Sequence, residues 1–287
     1  MNRATGLLII EVVNSNPNGN PDQESDPRLR PDERGLISPV SFKRKLRDLV
    51  EDKKGPVWSA VAQGFSPALD PNAFQILESR ERDWDTVSKE AKANAFSRRY
   101  WDARLFGNTF LEKELSDHIR TGVAQFGLGV SICPVEVDRQ TTTKKAGAQK
   151  EKDRGMAPLA YRIVEHGVYV MPYFVNPTAA RKSDCTDVDV ELMQRLIPHA
   201  YTHTASYIRP MINIRHAWHI EHKSPLGSCP DFALIEALTP KRIDEAKRDE
   251  PSKNWEDYAA PQSLPPDLAS RVASVTDLIA QSMTAKA

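Results

Sequence analysis

The hydrophobic pattern of the chain opens with a compact apolar run from Leu7 to Val13, in which β-branched side chains are frequent. Such a run predicts a strand, which ends where turn-forming residues crowd together from Asn14 to Asp22. A helix is predicted from Val40 to about Glu51, because Ser38 offers an N-cap and Pro39 suits the first helical position. The apolar positions expected on its buried side are Val40, Phe42, Leu46, Leu49 and Val50.

The middle of the chain alternates between helical and strand-like patterns. Residues 55–118 lack β-branched runs and predict a mostly helical insertion. Strand character returns from Val123 to Val137, with a break at two glycines, and again from Ile163 to Val175. The segment from Asp138 to Pro158 is polar and has no apolar periodicity. A long loop between paired strands is unusual in a compact domain, so we expect it to have a functional role.

The last third of the chain predicts a second helix from Thr186 to Tyr201, and strands from Ile208 to Ile220 and from Asp231 to Leu238. The tail, residues 241–287, is rich in proline and predicts a short helix from Leu268 to Met283. The element order predicts an α+β fold of the RNA-recognition type, which is a ferredoxin-like βαββαβ arrangement with two large excursions. Its core is expected to comprise residues 1–54 and 119–240.

Composition narrows the class of protein. The 287 residues are 40% hydrophobic and 27% charged, which is typical of a globular domain. No apolar run approaches the roughly 18 residues that a membrane span needs. The three cysteines form no CxxC pair, which favours a reducing, cytoplasmic compartment and argues against a zinc ribbon. Because 39 basic residues balance 39 acidic ones, any site for a polyanion must be local.

Two segments carry a local excess of positive charge. The segment from Arg28 to Arg47 contains seven basic and two acidic residues, and the segment from Arg139 to Arg154 contains six basic and two acidic residues. The first segment places Lys43, Arg44, Lys45 and Arg47 on the predicted first helix. A solvated helix face is the ordinary explanation of such a run, but a bound polyanion would offset the repulsion among these cations. The stretch from Thr141 to Lys145 adds donors that suit sugar and phosphate oxygens.

The sequence contains no P-loop, no dinucleotide-binding glycine motif, no HExxH and no GxSxG. Carboxylates at Asp22, Glu24 and Asp26 could support phosphodiester cleavage, although loop solubility and turn formation explain them more simply. His216, His219 and His222 recur every third residue, so on a strand they do not all share a face. We therefore expect core or interface histidines and no metal.

Several longer runs carry a family resemblance. The run VVNSNPNGNPD followed by SFKRKLRDLV closely resembles the start of the Cas-seven family, the repeating guide-RNA-binding backbone subunit of type I CRISPR interference (Cascade) complexes, in its I-C and I-B branch. Further matches are YWDARLFGN at 100–108, GVAQFGLGVSICPVEVDRQTTTKKAG at 122–147 and VEHGVYVMPYF at 164–174. The coupling of the NPNG loop to the basic helix is the most specific of these features.

The resemblance implies a palm of the RNA-recognition type, the helical insertion, and a projecting thumb hairpin at residues 138–162. It implies a non-catalytic subunit without cofactor that polymerises along CRISPR RNA and presents it for pairing with target DNA in antiviral defence. The implied partners are other copies of the chain and the five-type and eight-type Cas proteins. The implied RNA contacts are Asn16, Asn18, Gly19, Asn20, Lys43, Arg44, Lys45, Arg47, Arg104, Arg139, Thr141, Thr142, Thr143, Lys144 and Lys145.

Two other functions stay open at the level of sequence. Related backbone subunits of type III complexes resemble this fold and cut RNA from an acidic loop, which makes Asp22 or Asp26 the candidate for a metal-dependent endoribonuclease. Asn20 stands where the family often has an acidic residue, and this weakens a metal role for the loop. The third alternative is an interaction module whose basic segments bind acidic proteins.

Overall fold

The computed structural model describes residues 1–23, 25–79, 83–92, 96–108, 120–145 and 156–284. For residues 84, 92, 96, 141–145 and 156–160 the description covers the backbone alone. The strands in these ranges are β1 (Ala4–Ser15), β2 (Arg34–Ile37), β3 (Gly107–Asn108), β4 (Arg120–Thr121), β5 (Ala124–Phe126), β6 (Gly129–Pro134), β7 (Val137–Lys145), β8 (Met156–Val175), β9 (Ile212–His222), β10 (Lys241–Arg242), β11 (Tyr258–Ala259) and β12 (Val272–Asp277).

The helices in the described ranges lie mostly in the first two thirds of the chain. They are α1 (Pro39–Glu51), α2 (Pro56–Gln63), α3 (Trp84–Lys92), α4 (Phe96–Arg99), α5 (Trp101–Phe106), α6 (Ala180–Ser183), α7 (Asp187–Leu196), α8 (Asp231–Leu238), α9 (Pro266–Ala269) and α10 (Leu278–Thr284). Four of them, α2 to α5, fall in the stretch for which the sequence predicts helices.

The centre of the fold is one antiparallel sheet in the order β12-β9-β1-β8-β6-β2, with β5 and β7 also paired to β8. Strand β1 lies between β8 and β9, so Leu8 pairs with Met171 on one side and with Ala217 on the other. Helix α1 follows β1 along the chain, and α7 connects β8 to β9. The structure thus confirms an α+β protein with a large antiparallel sheet.

Both faces of the sheet are covered, which explains why β1 reads as a continuous apolar run. Leu8 and Ile10 belong to a core that includes α1 and α7. Leu7 and Ile9 point to the other face, because side chains alternate along a strand. They belong to a second core that includes α8 and residues beyond 240, among them Tyr258. The predicted tail therefore packs on the sheet.

Helix α1 begins as predicted. The Ser41 N–H donates to the Ser38 side chain at 3.2 Å, and Pro39 is the first helical residue. Four of the five apolar positions are buried, but Val40 is 72% exposed, so that part of the prediction is wrong. The buried residues are Phe42, Leu46, Leu49 and Val50. Val40 lies two residues before Phe42, and about 100° per residue places it on the opposite side of the helix.

Three other element predictions are wrong. The segment from Asp231 to Leu238 is helix α8 instead of a strand, and it buries Leu234 and Leu238, one turn apart. The predicted helix from Leu268 to Met283 is interrupted by β12, because that stretch pairs with β9 at the sheet edge. Of the polar segment predicted to be a loop, residues 138–145 belong to β7 and pair with residues 156–163 of β8. This β7–β8 hairpin extends past the end of β1, where Ser15 pairs with Val164.

Candidate nucleic-acid interface

The loop that follows β1 is held in place by its own asparagines. Asn14, at the end of the strand, adopts a left-handed backbone with φ of 41°, which asparagine tolerates better than most residues. The Asn16 side chain is buried and donates to the carbonyl oxygens of Ser25 at 2.8 Å and Arg162 at 3.1 Å. The Asn18 side chain accepts from the Ser38 N–H at 2.7 Å. The loop is therefore tied to both the hairpin and the start of α1.

The next two residues close the loop on itself. Gly19 forms an isolated bridge with Pro27, and a Cβ at Gly19 would lie 3.1 Å from the Ser25 carbonyl oxygen. The Asn20 N–H donates to the Asp26 carbonyl oxygen at 2.7 Å. These contacts give the four predicted loop residues, Asn16, Asn18, Gly19 and Asn20, a role in shaping the loop. Their contact with RNA stays a prediction.

Asp26 joins the loop to the base of the β7–β8 hairpin. Its carboxylate accepts from Arg139 at 2.9 Å and from Arg162 at 2.7 Å, and these two arginines lie directly opposite each other in the hairpin. Partial burial would raise the pKa of Asp26, but the hydrogen bonds and charges of the two guanidinium groups outweigh it and lower the pKa. The carboxylate is therefore an ionised anchor whose charge is already balanced.

The predicted cations of α1 divide into separate environments. Arg44 is paired with Asp48 and Glu51 on its own helix and donates to the Glu78 carbonyl oxygen. Arg47 donates to the buried carboxylate of Asp102 at 2.8 Å, which joins α1 to α5. The partners of Arg44 are acids of the same helix, which the sequence shows, whereas the partner of Arg47 is brought to it by folding. The two partners of Arg44 lie four and seven residues further along α1, whereas the partner of Arg47 lies 55 residues away in the sequence.

Lys45 is buried and donates its hydrogen bond to a neutral group. Its ammonium donates to the Thr204 hydroxyl at 2.9 Å and lies 4.8 Å from the centre of the Tyr201 ring. Burial, assisted by the nearby charge of Arg209, lowers the pKa of Lys45 to about 8, although Asp48 opposes the shift. This lysine stabilises the contact between α1 and the loop before β9 more directly than it presents a charge to solvent.

The low pKa of Lys45 predicts a pH-dependent stability. The Lys45 ammonium holds its proton more tightly in the unfolded chain than in the folded chain. The stability of the folded chain therefore increases as pH rises from about 8 towards about 10.5. We expect the free energy of unfolding of the wild type, relative to Lys45→Met, to increase by roughly 3 kcal/mol between neutral and strongly alkaline pH. Urea denaturation of both proteins across this range measures it, and a constant difference would contradict the assignment.

Arg104 does not reach the predicted groove. Its side chain is buried and holds the buried carboxylate of Asp189 at 2.7 Å. The same guanidinium donates to the carbonyl oxygens of Ser97 at 2.8 Å and Ala73 at 3.0 Å. Arg104 was predicted to contact RNA from the insertion side, but nearly all of its N–H groups are used in hydrogen bonds within the insertion and to α7. Arg104 therefore holds the insertion against α7.

Lys43 faces an open pocket on the outer side of α1. The pocket has a volume of about 440 Å³ and places Lys43, Arg47 and Arg120 around the turn at Gly107, with Glu78 also in its wall. Among the residues that the structure describes, Lys43 has no carboxylate partner, and its ammonium lies 5.4 Å from the centre of the Phe106 ring. Burial and the charge of Arg47 lower the pKa of Lys43. An anion in this pocket would relieve that repulsion.

The structure leaves some predicted contacts undescribed and adds others. The side chains of Thr141, Thr142, Thr143, Lys144 and Lys145 lie outside the description, although their backbone pairs with β8. Arg120, Arg162 and Arg209 are cations beside the described surfaces that charge counting overlooked. These three arginines lie outside the two basic segments of the sequence, so no local pattern distinguishes them from ordinary surface arginines.

The three histidines of β9 have separate partners. His216 contacts Asp277 at 2.8 Å, and His222 contacts Thr5 at 3.0 Å. His219 lies 3.0 Å from the Tyr173 hydroxyl, and burial lowers its pKa to about 4. Within the described ranges, no group of three histidine, cysteine or acidic residues is placed to hold a metal ion. No helix in those ranges is long and apolar enough to cross a membrane.

Together, the fold and the site define an α+β protein with a large antiparallel sheet and a cationic pocket suited to an anionic ligand. The sequence matches the family described as CRISPR-associated protein Cas7 over residues 2–262. The chain therefore belongs to the Cas7 family of CRISPR-associated proteins.

Individual relatives are distant. A curated relative, CRISPR-associated protein Cas7 of Haloferax volcanii, is 24% identical over 214 residues, which cover 68% of this chain and 63% of the relative. The chain thus spans less than two thirds of that relative's length. A chain of a structure titled CRISPR RNA-guided surveillance complex, pre-nicking, is 16% identical with a TM-score of 0.49, and the match covers 83% of each chain. A chain of the type III-B Cmr-beta complex bound to cognate target RNA is 10% identical with a TM-score of 0.39, covering 77% of this chain and 61% of that one.

Proposed function

We propose that this chain is a non-catalytic backbone subunit of a type I CRISPR interference complex. It polymerises along CRISPR RNA, holds the RNA backbone, and presents the guide for pairing with target DNA. The observation that carries the proposal is Lys43, a partly buried cation that faces a pocket shared with Arg47 and Arg120 and has no described carboxylate partner. Because single-stranded RNA places a phosphate at every nucleotide, it supplies the missing negative charge without any sequence-specific contact.

The strand order β9-β1-β8-β6, with α1 and α7 as the connecting helices, supports an RNA-recognition-type palm formed by residues 1–54 and 119–240. Residues 55–118 are then the helical insertion. The β7–β8 hairpin serves as the thumb at residues 138–162, where Arg139 and the segment from Thr141 to Lys145 contact RNA. The ion pairs of Asp26 with Arg139 and Arg162 fix the angle at which this hairpin leaves the palm.

The partners follow from this arrangement. CRISPR RNA binds directly, and target DNA is recognised through pairing with the guide, so no base code is needed in the protein side chains. Copies of the chain associate head to tail, because regular spacing along RNA requires an interface that does not close into a ring. The five-type and eight-type Cas proteins complete the complex in the cytoplasm.

The nuclease and interaction-module alternatives receive less support. Asp26 is neutralised by two arginines, which makes it a poor general base and a poor metal ligand. Asp22 lies on an exposed turn, and its backbone N–H donates to the Asn20 side chain at 3.3 Å. An acidic protein could also occupy the Lys43 pocket. The β7–β8 hairpin, which is tied to the loop after β1, favours an extended ligand instead.

The test is a titration of the purified chain with labelled single-stranded RNA of increasing length at several salt concentrations, followed by sizing of the products. We expect sequence-tolerant binding, particle size that grows stepwise with RNA length, and intact complementary RNA in the presence of Mg²⁺. A particle with a single copy on every RNA would contradict the backbone function. Cleavage that disappears in Asp26→Ala would instead support the nuclease.

Two variants of the same helix sharpen the prediction. Removing one phosphate contact lowers the slope of log affinity against log salt by about 0.7 on single strands. We expect Lys43→Ala to show this change, and Arg44→Ala to leave the slope nearly unaltered, since Arg44 is already paired with Asp48 and Glu51. Equal slopes for Lys43→Ala and the wild type would show that the pocket does not bind the RNA backbone.

A further inference from the structure

Two tyrosines form an aromatic pair at the base of the hairpin. Tyr207, in the loop before β9, is 63% exposed, and its ring meets that of half-buried Tyr161 edge to face, with centroids 5.7 Å apart. The Tyr161 hydroxyl lies 3.5 Å from the Asn14 carbonyl oxygen at the end of β1. Among the described residues, Tyr161 is the one ring in contact with Tyr207. A tyrosine ring this exposed contributes little to the hydrophobic core, so core packing does not explain why an aromatic residue stands at position 207.

The hairpin has two different faces at this level. Arg139 and Arg162 form one cross-strand pair and bind Asp26, whereas Gln140 and Tyr161 form the next pair. Because neighbouring residues on a strand point to opposite faces, Tyr161 lies on the face away from Asp26. The aromatic pair is therefore separate from the ion-paired anchor of the loop.

The neighbourhood of the pair is positively charged. Arg209 lies two residues after Tyr207, and its Nε donates to the Asn16 carbonyl oxygen at 2.9 Å, which fixes the guanidinium beside the end of β1. Lys45 is close enough for Arg209 to lower its pKa. Flat rings next to anchored cations suit a ligand that has both planar aromatic groups and negative charge, and single-stranded RNA has both.

We propose that Tyr161 and Tyr207 form a stacking site for one unpaired base of bound RNA, with Arg209 beside the adjoining phosphate. This inference rests on the proposed RNA-binding function and adds a contact of a different kind. The Lys43 pocket holds backbone charge, whereas the tyrosine pair holds a base through its ring face. Stacking tolerates any base, so the site is compatible with a guide of any sequence.

The experiment compares Tyr207→Ala and Tyr207→Phe with the wild type in binding to single-stranded RNA. Phe232→Ala is the matched control, because Phe232 is also an exposed aromatic residue, at 82% exposure, but lies on α8. Loss of one stacked base typically weakens binding by about tenfold or more. We expect this loss for Tyr207→Ala alone, with an unchanged salt slope, since no phosphate contact is removed. RNA labelled with 2-aminopurine should show quenching that Tyr207→Ala reduces and Tyr207→Phe retains.

The remaining outcomes overturn the inference. Equal affinities of Tyr207→Ala and Phe232→Ala, with salt-dependent RNA binding intact, would remove the stacking site and leave the proposed function standing. Equal losses in Tyr207→Phe and Tyr207→Ala would show that the hydroxyl group acts instead of the ring face. If Tyr207→Ala weakens association between copies without RNA, the pair is a protein contact. A wild-type chain that binds no RNA would remove both proposals.

Discussion

Replacement of Asp189 by alanine is expected to destabilise the protein by about 3–5 kcal/mol, since it leaves the buried Arg104 guanidinium without its counter-charge. The side chains of this pair are 8% and 1% exposed, so water cannot replace the lost partner. Asp189 also accepts from the Thr186 N–H at 2.8 Å, which completes the capping box at the start of α7. The substitution therefore removes the link from the insertion to α7 and the cap of α7 together.

Glu191→Ala is the control on the same helix. Glu191 forms an ion pair with Arg195 one turn away, but both side chains are more than a third exposed, so the expected loss is below about 1 kcal/mol. Urea denaturation of the two variants measures the difference. Similar stabilities for Asp189→Ala and Glu191→Ala would show that the buried pair does not hold α7 against the insertion.

Replacement of Gly6 by alanine is expected to destabilise the sheet at its centre by about 1–3 kcal/mol. Gly6 on β1 pairs directly with Tyr173 on β8, and a Cβ at Gly6 would lie 1.9 Å from the edge of the tyrosine ring. The ring cannot move aside easily, because Tyr173 is fully buried, stacks on Phe126 with centroids 5.1 Å apart, and lies 3.0 Å from His219 through its hydroxyl. Only glycine leaves room for this ring.

A double substitution tests the cause. Tyr173→Leu alone is destabilising because it shortens a buried side chain, but in its presence the extra methyl group of Gly6→Ala should cost much less than in the wild type. Thermal unfolding of the wild type, the two single variants and the double variant gives the coupling. Additive losses would contradict the register in which Gly6 faces Tyr173.

The cover on both sides of the sheet limits where a nucleic acid can bind. One face packs against α1 and α7, and the other against α8 and the segment around Tyr258. A bound nucleic acid would therefore meet the end of β1, the hairpin base and the outer side of α1 rather than an open sheet. The Lys43 pocket and the tyrosine pair both lie in these places.

Sequence reasoning succeeded where the signal is local. The apolar run predicts β1, and the Ser38-Pro39 pair predicts the start of α1, because strand propensity and helix capping depend on residues close together in the chain. It failed for α8, where the short apolar segment from Asp231 to Leu238 fits either a strand or a helix. Contact with the second face of the sheet decides that choice.

The sequence by itself determined the family, the α+β class and the two segments in which positive charge concentrates. Only the tertiary structure decided which cations are available to a ligand. Arg47 meets Asp102 and Arg104 meets Asp189, while Lys45 meets Thr204 across 159 residues. Pairing and burial depend on groups that folding brings together from distant parts of the chain, so four similar positive charges on one helix have different environments. Of the four, Lys43 is the one that lines the pocket without an ion-pair partner among the described residues, although Glu78 also lies in the pocket wall.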